Sequence, residues 1–203
     1  MLKGWCTELG VDIASVGVQV HGGMGFIEET GAAQYLRDAR IAPIYEGTTG
    51  IQAGDLVGRK LSMDNGTAMA ELIDEMRAVG DRLGGSDNAD LPAIRESLTG
   101  GIDALKEATE WVLQTNRHDP NAALAASVNY LMLTGYVCGG WQMARAALAA
   151  RARLGPGADD GFCRTKIATA RFYAEQILPK ASALLPIVRS GASTAFALDE
   201  EQF

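Results

Sequence analysis

The residues able to do chemistry concentrate in the first sixty positions of this 203-residue chain. Three runs stand out: Gln19-Val20-His21-Gly22-Gly23-Met24-Gly25-Phe26, then Tyr35-Leu36-Arg37-Asp38-Ala39-Arg40, then Ile44-Tyr45-Glu46-Gly47-Thr48 with Ile51-Gln52 just beyond. Read singly, each admits an ordinary account beside a functional one. A glycine cluster behind a helix is either a helix terminus or a loop that lets a ligand approach the backbone. Arg37, Asp38 and Arg40 suit a charged surface, and Tyr45 suits a partly buried aromatic. Glu46, ahead of a helix started by Thr48, suits the positive end of that helix's dipole. Other chemistries lack their residues: the sequence has no Gly-x-Gly-x-x-Gly after a strand, no phosphate loop, no Cys-x-x-Cys and no serine in a nucleophile elbow. Two histidines, His21 and His118, are too few for a histidine-rich metal site. Cys6, Cys138 and Cys163 are odd in number and far apart, which fits a reducing compartment rather than a disulfide framework.

These runs must be positioned by helices. Leu2, Trp5, Leu9, Ile13, Val16 and Val20 recur at three- and four-residue steps and predict a first helix, ended by Gly22, Gly23 and Gly25. A second helix is predicted over residues 30–41 and closed by Pro43. A third starts near Thr48 and runs through Ile51, Leu56, Val57 and Leu61. Asp64-Asn65-Gly66 is a boundary, which divides the chain into residues 1–62 and 63–203. Beyond it Met69, Leu72, Ile73, Met76, Val79 and Leu83 share one helical face, followed by a loop over residues 84–88. Asp90 is the expected cap of a long helix with Pro92 in its first turn and a buried stripe of Ile94, Leu98, Ile102, Leu105 and Val112. An alanine-rich helix over residues 120–154 carries Gly139-Gly140 in its middle. Two interior glycines cost about 1 kcal/mol each against alanine, so a close-packed neighbour is expected there. Gly155-Pro156-Gly157 ends that helix. A last one spans residues 160–189 with a kink at Pro179, before a tail ending in Asp199-Glu200-Glu201. Strand alternation never extends beyond a few residues, so the fold class is all-α, a helical bundle.

With 47% hydrophobic residues the chain can bury a real core. Its 18 basic and 25 acidic side chains give a net charge of −7, the wrong sign for a nucleic-acid partner. The acidity is concentrated in residues 61–140, with five basic and twelve acidic side chains, and reads as a solvated outer face. Lys3, Glu8 and Asp12 interrupt any secretory signal, and the apolar stretch over residues 122–136 is broken by Ser127 and Asn129 and is short for a membrane span. The expectation is a cytoplasmic protein with no membrane contact.

Taken together and in order, the three runs resemble the C-terminal helical domain of the FAD-dependent acyl-CoA dehydrogenases. The resemblance rests on a helix ending in Gln-x-x-Gly-Gly-x-Gly-Phe (Gln19–Phe26), on Arg37-Asp38-Ala39, on Ile44-Tyr45-Glu46-Gly47-Thr48, and on the distance from Gly25 to Glu46. It implies that Glu46 is the base that removes the α-proton of an acyl-CoA thioester while the β-hydrogen leaves as hydride to FAD. It also implies that the Glu46 N–H helps bind the thioester oxygen, that Gly47 leaves room for the thioester and that Tyr45 packs along the substrate. Gln19, Gly22 and Gly23 correspond to contacts with the dinucleotide of a neighbouring subunit, and Thr48 to a contact near its adenosine end. Gly50 departs from the family, many members of which carry Gln there; Gln52 keeps the common Ile-Gln pair.

The remaining 140 or so residues resemble the extra helical domain of the long subfamily that includes methylthiopropanoyl-CoA dehydrogenase-like enzymes. Gly-Gly-Trp-x-Met-Ala-Arg at residues 139–145 and Phe172-Tyr173-Ala174-Glu175 carry that part of the likeness. Trp141, Met143 and Phe172 are expected to be helix-packing core. Members of the family also have an N-terminal helical domain and a middle β-domain, neither of which is in this sequence. The expectation is a fragment, inactive in isolation and a weak binder of FAD, with electron-transfer flavoprotein as the implied electron acceptor. Two alternatives stand beside it: a separate subunit completed by a partner chain, and a non-catalytic helical interaction or assembly module. In each case the first three helices should present an uncovered apolar face that promotes association, making the chain a homo-oligomer.

Overall fold

The computed structural model describes residues 1–85, 89–155, 160–198 and 200–202. Ser86, Asp87, Asn88, Pro156, Gly157 and Asp199, assigned above to loops and the tail, lie outside the described residues. Among the described residues the regular elements are helical and there is no strand, as the period of the sequence requires. No helix there is long and apolar enough to cross a membrane.

The core is built on α9 (Ser127–Arg153), which packs against α1 (Leu2–Val20), α4 (Thr49–Asp55), α6 (Thr67–Leu83), α7 (Asp90–His118), α10 (Asp160–Gln176) and α11 (Pro179–Arg189). Neighbours on so many sides require apolar or small residues around most of its circumference. Tyr130, Leu131, Leu133, Val137, Ala144 and Ala147 are accordingly all fully buried. On α7 the predicted stripe is buried from Ile94 to Val112, and on α6 Met69, Ile73, Met76, Val79 and Leu83 are buried. The same core continues into Ala53, Leu56, Val57 and Leu61, across the boundary at residues 62 and 63.

Close approach explains the glycine pair of α9. A side chain on Gly139 would collide with the Tyr173 hydroxyl, and one on Gly140 would come within 2.8 Å of the Leu178 methyls. Leu178 also lies 3.0 Å from where a Gly101 side chain would begin, so it plugs a notch between α7 and α9. The other side of α9 receives α1. Gly4 of α1 has space only for the Leu131 methyls, and Gly135 lies under the Trp5 ring, which meets Tyr136 edge-on with centroids 4.5 Å apart.

Several boundaries differ from the sequence reading. Gly22 turns the chain, but Gly23 and Gly25 lie inside a one-turn helix α2 (Gly23–Phe26) rather than in a helix terminus, and a 3-10 turn (Glu28–Thr30) precedes α3 (Ala32–Arg40), which begins beyond left-handed Gly31. The third helix is divided: α4 passes into a π-helical turn (Leu56–Lys60) and then α5 (Leu61–Met63). Asp90 is not the cap of α7; Ala89 precedes the helix and Asp90 sits in its first turn, 2.6 Å from Arg171 of α10. The alanine-rich helix is two, α8 (Pro120–Ala125) and α9, separated by Ala126. Pro179 does more than kink the last helix. Its missing N–H and the clash of its ring with the preceding turn end α10 at Gln176, and the chain restarts with Pro179 in the first turn of α11. Phe172 is 59% exposed rather than core, whereas Trp141 and Met143 pack against the core.

The Trp5 seat predicts opposite outcomes for two glycine-to-alanine changes. Gly135→Ala overpacks against the ring and should lower stability by about 1–3 kcal/mol. Gly100→Ala, on an exposed part of α7 with nothing near the new methyl, should raise it by roughly 0.5–1 kcal/mol. Urea unfolding of both variants checks the pair.

Burial pushes the Tyr173 hydroxyl upward, and two further acids with it. The Tyr130 hydroxyl is driven from its ordinary 10.0 to about 12, against the opposing effect of hydrogen bonding to Thr109 and Thr134. The Cys138 thiol is driven from 9.0 to about 11. Both groups are held protonated by the fold and ionise earlier in the unfolded chain. Their contribution is therefore intact below about pH 9 and lost as pH rises toward 12. Urea midpoints should fall progressively over that window, and Tyr130→Phe should flatten the upper part of the fall.

Candidate functional site

The turn between α3 and α4 carries Tyr45, Glu46, Gly47 and Thr48. Two consecutive residues there have left-handed backbone, Glu46 at φ 53 and Gly47 at φ 90. Glycine adopts such a φ freely, whereas a glutamate does so at a cost. Among the described residues the other non-glycine case is Asn65, in the turn before α6; asparagine tolerates that region better.

The strained pair is held by side chains from two helices. Gln52 of α4 donates from Nε2 to the Glu46 carbonyl at 3.2 Å, and Lys3 of α1 donates from Nζ to the Gly47 carbonyl at 2.6 Å. The Lys3 ammonium also lies 5.8 Å from the centroid of the Tyr45 ring. Upstream, the Tyr45 N–H donates to the Ile41 carbonyl at 3.1 Å. Downstream, Thr49 is buried and its hydroxyl donates to Glu8 of α1 at 2.5 Å, while its N–H donates to the Pro43 carbonyl at 3.3 Å. Thr48 caps α4, its hydroxyl accepting from the Ile51 N–H at 3.4 Å. A side chain on Gly47 would meet the Gln52 amide at 2.9 Å, so glycine is needed there for space as well as for φ.

The Glu46 side chain is exposed, and among the described residues its N–H has no hydrogen-bond partner. Tyr45 is 52% exposed. The loop therefore presents a carboxylate, a free backbone donor and an aromatic ring on a backbone tied down from behind.

Gln19, Gly22 and Gly23 lie elsewhere. They form the corner at the far end of α1, whereas Lys3 and Glu8 hold the loop near its beginning. The 19 residues of α1 span about 28 Å at 1.5 Å per residue. Tyr45, Glu46, Gly47 and Thr48 are thus brought together, and the glycine corner is kept apart from them. Within the corner the glycines differ. Gly22 has φ 60, and a side chain on it or on Gly23 would meet nothing within 4 Å, so the corner is uncovered there. Gly25 is a packing glycine, its α-carbon pressed against the Val18 carbonyl and His21. Gln19 is exposed beside them.

Between the two ends, Leu2, Ile13, Val16 and Val20 of α1 are exposed, as are Tyr35, Ile41, Ile44 and Ile51 nearby. The apolar face expected of the first three helices is present. Sequence reading missed Lys3, Glu8 and Thr49 as the groups that hold the loop, since their partners are 41 and 44 positions away and no local pattern marks them.

Comparison with known proteins gives the same segments a common origin. Residues 1–61 match the model of the acyl-CoA dehydrogenase C-terminal domain, and residues 69–199 match that described as acetyl-CoA dehydrogenase C-terminal like. The chain is 48% identical over 183 residues to 3-methylmercaptopropionyl-CoA dehydrogenase of Ruegeria pomeroyi, covering 90% of this chain and 31% of that protein. It is 30% identical over 212 residues to the broad-specificity linear acyl-CoA dehydrogenase FadE5 of Mycobacterium tuberculosis, covering 100% and 34%. A butyryl-CoA dehydrogenase of Syntrophomonas wolfei is 29% identical over 211 residues, covering 100% and 33%. The chain spans about a third of the length of these relatives. Helical fold, ordered motifs and family matches agree: the chain belongs to the acyl-CoA dehydrogenase family and corresponds to its C-terminal helical region.

Proposed function

We propose that this chain supplies the α-proton base, and part of the cofactor-binding surface, of an FAD-dependent dehydrogenase that introduces an α,β double bond into an acyl-CoA thioester. The observation that carries this reading is the Glu46 loop: a glutamate kept in left-handed backbone, with its own carbonyl and that of Gly47 tied back and its N–H unpartnered among the described residues. Non-glycine left-handed backbone costs on the order of 1–3 kcal/mol and tends to persist where function requires it.

Glu46 takes the α-proton onto its carboxylate. The electron pair of that C–H bond forms the new double bond as the β-hydrogen departs with its own pair. When bound, FAD supplies the acceptor for that hydride. An α-proton of a thioester is weakly acidic, so the carboxylate must work in a dry site where burial raises its basicity. On this chain alone Glu46 faces solvent, and we therefore expect the isolated chain to be inactive and to bind FAD weakly. The Glu46 N–H donates to the thioester oxygen as negative charge develops there, Gly47 leaves space for the thioester and Tyr45 lies along the acyl group.

Gln19, Gly22 and Gly23 would hold the dinucleotide through open backbone, and Thr48 would contact its adenosine end. The place of the glycine corner at the opposite end of α1 from Lys3 supports assigning it to the cofactor of a neighbouring subunit, which makes the working unit a homo-oligomer. Residues 1–62 act as the C-terminal helical domain and residues 63–203 as an additional helical domain that holds α1 in place. Electron-transfer flavoprotein is the proposed electron acceptor. The name of the 48% identical relative makes 3-methylmercaptopropionyl-CoA the first thioester to assay, followed by straight-chain acyl-CoA substrates.

Glu46→Gln in the complete enzyme tests the base. Turnover and the exchange of the substrate α-hydrogen with deuterated solvent should both fall by roughly 10²–10⁴-fold, with flavin content and fold retained. Activity and exchange within a few-fold of the parent would contradict the assignment.

A further inference from the structure

Lys3 reaches the residues on both sides of Glu46, by a hydrogen bond to Gly47 and over the ring of Tyr45. Its ammonium donates to the Gly47 carbonyl at 2.6 Å and lies over the Tyr45 ring at 5.8 Å. A hydrogen bond from a charged donor is stronger than a neutral one. This one is also partly buried and joins residues 44 positions apart. Gln52 ties the preceding carbonyl, that of Glu46, from α4. With each carbonyl of the left-handed pair held by a different helix, the two successive peptides Glu46–Gly47 and Gly47–Thr48 are each tied at their oxygen.

Of the two ties, Gln52 comes from α4, the helix that the loop itself starts, which is seated on α9 through buried Ala53. Lys3 belongs to α1, which is anchored independently on α9 through Gly4 against Leu131 and Trp5 over Gly135. The Glu8–Thr49 hydrogen bond joins α1 to the first turn of α4 beyond the loop, leaving Lys3 as the side chain of α1 that reaches the loop between Tyr45 and Gly47. We infer that Lys3 is a positioning residue for the Glu46 loop: it transmits the rigid seat of α1 to the backbone that carries the base and its N–H donor. The inference deepens the proposed role of Glu46 and adds a residue that motif reading passes over.

Lys3→Met and Lys3→Arg test it in two settings. In this chain, amide hydrogen exchange over residues 44–50 should be about tenfold or more faster in Lys3→Met, the size expected for a lost charge-assisted hydrogen bond. Exchange in α7 should be unchanged, and Lys3→Arg should restore most of the protection. In the complete enzyme, Lys3→Met should lower kcat by a similar factor with KM and flavin content little altered, and Lys3→Arg should recover it. Unchanged exchange in residues 44–50, or exchange accelerated equally in α7, would overturn the inference, as would a kcat equal to the parent's. The exchange readout requires no catalysis, so it stands or falls separately from Glu46→Gln: an active Glu46→Gln enzyme removes the base assignment and leaves the Lys3 tie measurable.

Discussion

The seat of α1 on α9 is the contact on which the geometry at Glu46 depends. Trp5 lies over Gly135 and edge-on to Tyr136, and Gly4 lets the backbone of α1 come down onto Leu131. From that seat two polar side chains of α1 reach outward, Lys3 to the Gly47 carbonyl and Glu8 to the Thr49 hydroxyl. The loop has little core of its own: Pro43 and Thr49 are buried at its ends while Tyr45, Glu46 and Thr48 are exposed. Left-handed backbone at Glu46 persists because neighbouring elements over-determine it, which is the general condition for strain at a site. Among the described residues, those beyond residue 62 support the Glu46 loop through α1 rather than through a hydrogen bond of their own to it. They build the α9 surface that fixes α1.

The same economy of small residues runs through the rest of the bundle. Gly101 and Gly140 form the notch that Leu178 fills, and Gly139 yields to Tyr173, whose hydroxyl donates to the Tyr136 carbonyl at 3.0 Å. Tyr136 thus meets α1 through its ring and α10 through its carbonyl. These contacts place the break between α10 and α11 where Leu178 can enter between α7 and α9.

How much of this was legible follows from which signals are local. One-sided helices announce themselves: the stripes of α6 and α7 were readable from spacing alone because each has a wet face to contrast with its dry one. The boundary between α8 and α9 falls at Ala126, with neither glycine nor proline to mark it, in a segment too rich in alanine for a strong contrast. Pro179 signalled an interruption, but whether proline bends a helix or ends it depends on what the following residue packs into, here the notch for Leu178. The motifs pointed to the family, and the structure gathers Tyr45 to Thr48 while holding Gln19, Gly22 and Gly23 at the other end of α1. What could not be read was the set of groups behind the loop, because Lys3 and Glu8 look like ordinary helix-surface charges until the fold brings residues 47 and 49 beside them. Phe172 failed in the opposite sense, an aromatic at helical spacing that the fold leaves exposed.

The exposed apolar side chains of α1 and α3 and the exposed Glu46 carboxylate lie on the part of the chain to which the proposed dehydrogenase role assigns the site. A crystal structure of the complete flavoenzyme with a bound acyl-CoA is the most direct test of the account. It should place a Glu46 carboxylate oxygen about 3–3.5 Å from the substrate α-carbon, a near-attack distance, with the Lys3 ammonium still on the Gly47 carbonyl. A Glu46 side chain turned away from the thioester, with another group at the α-carbon, would contradict it.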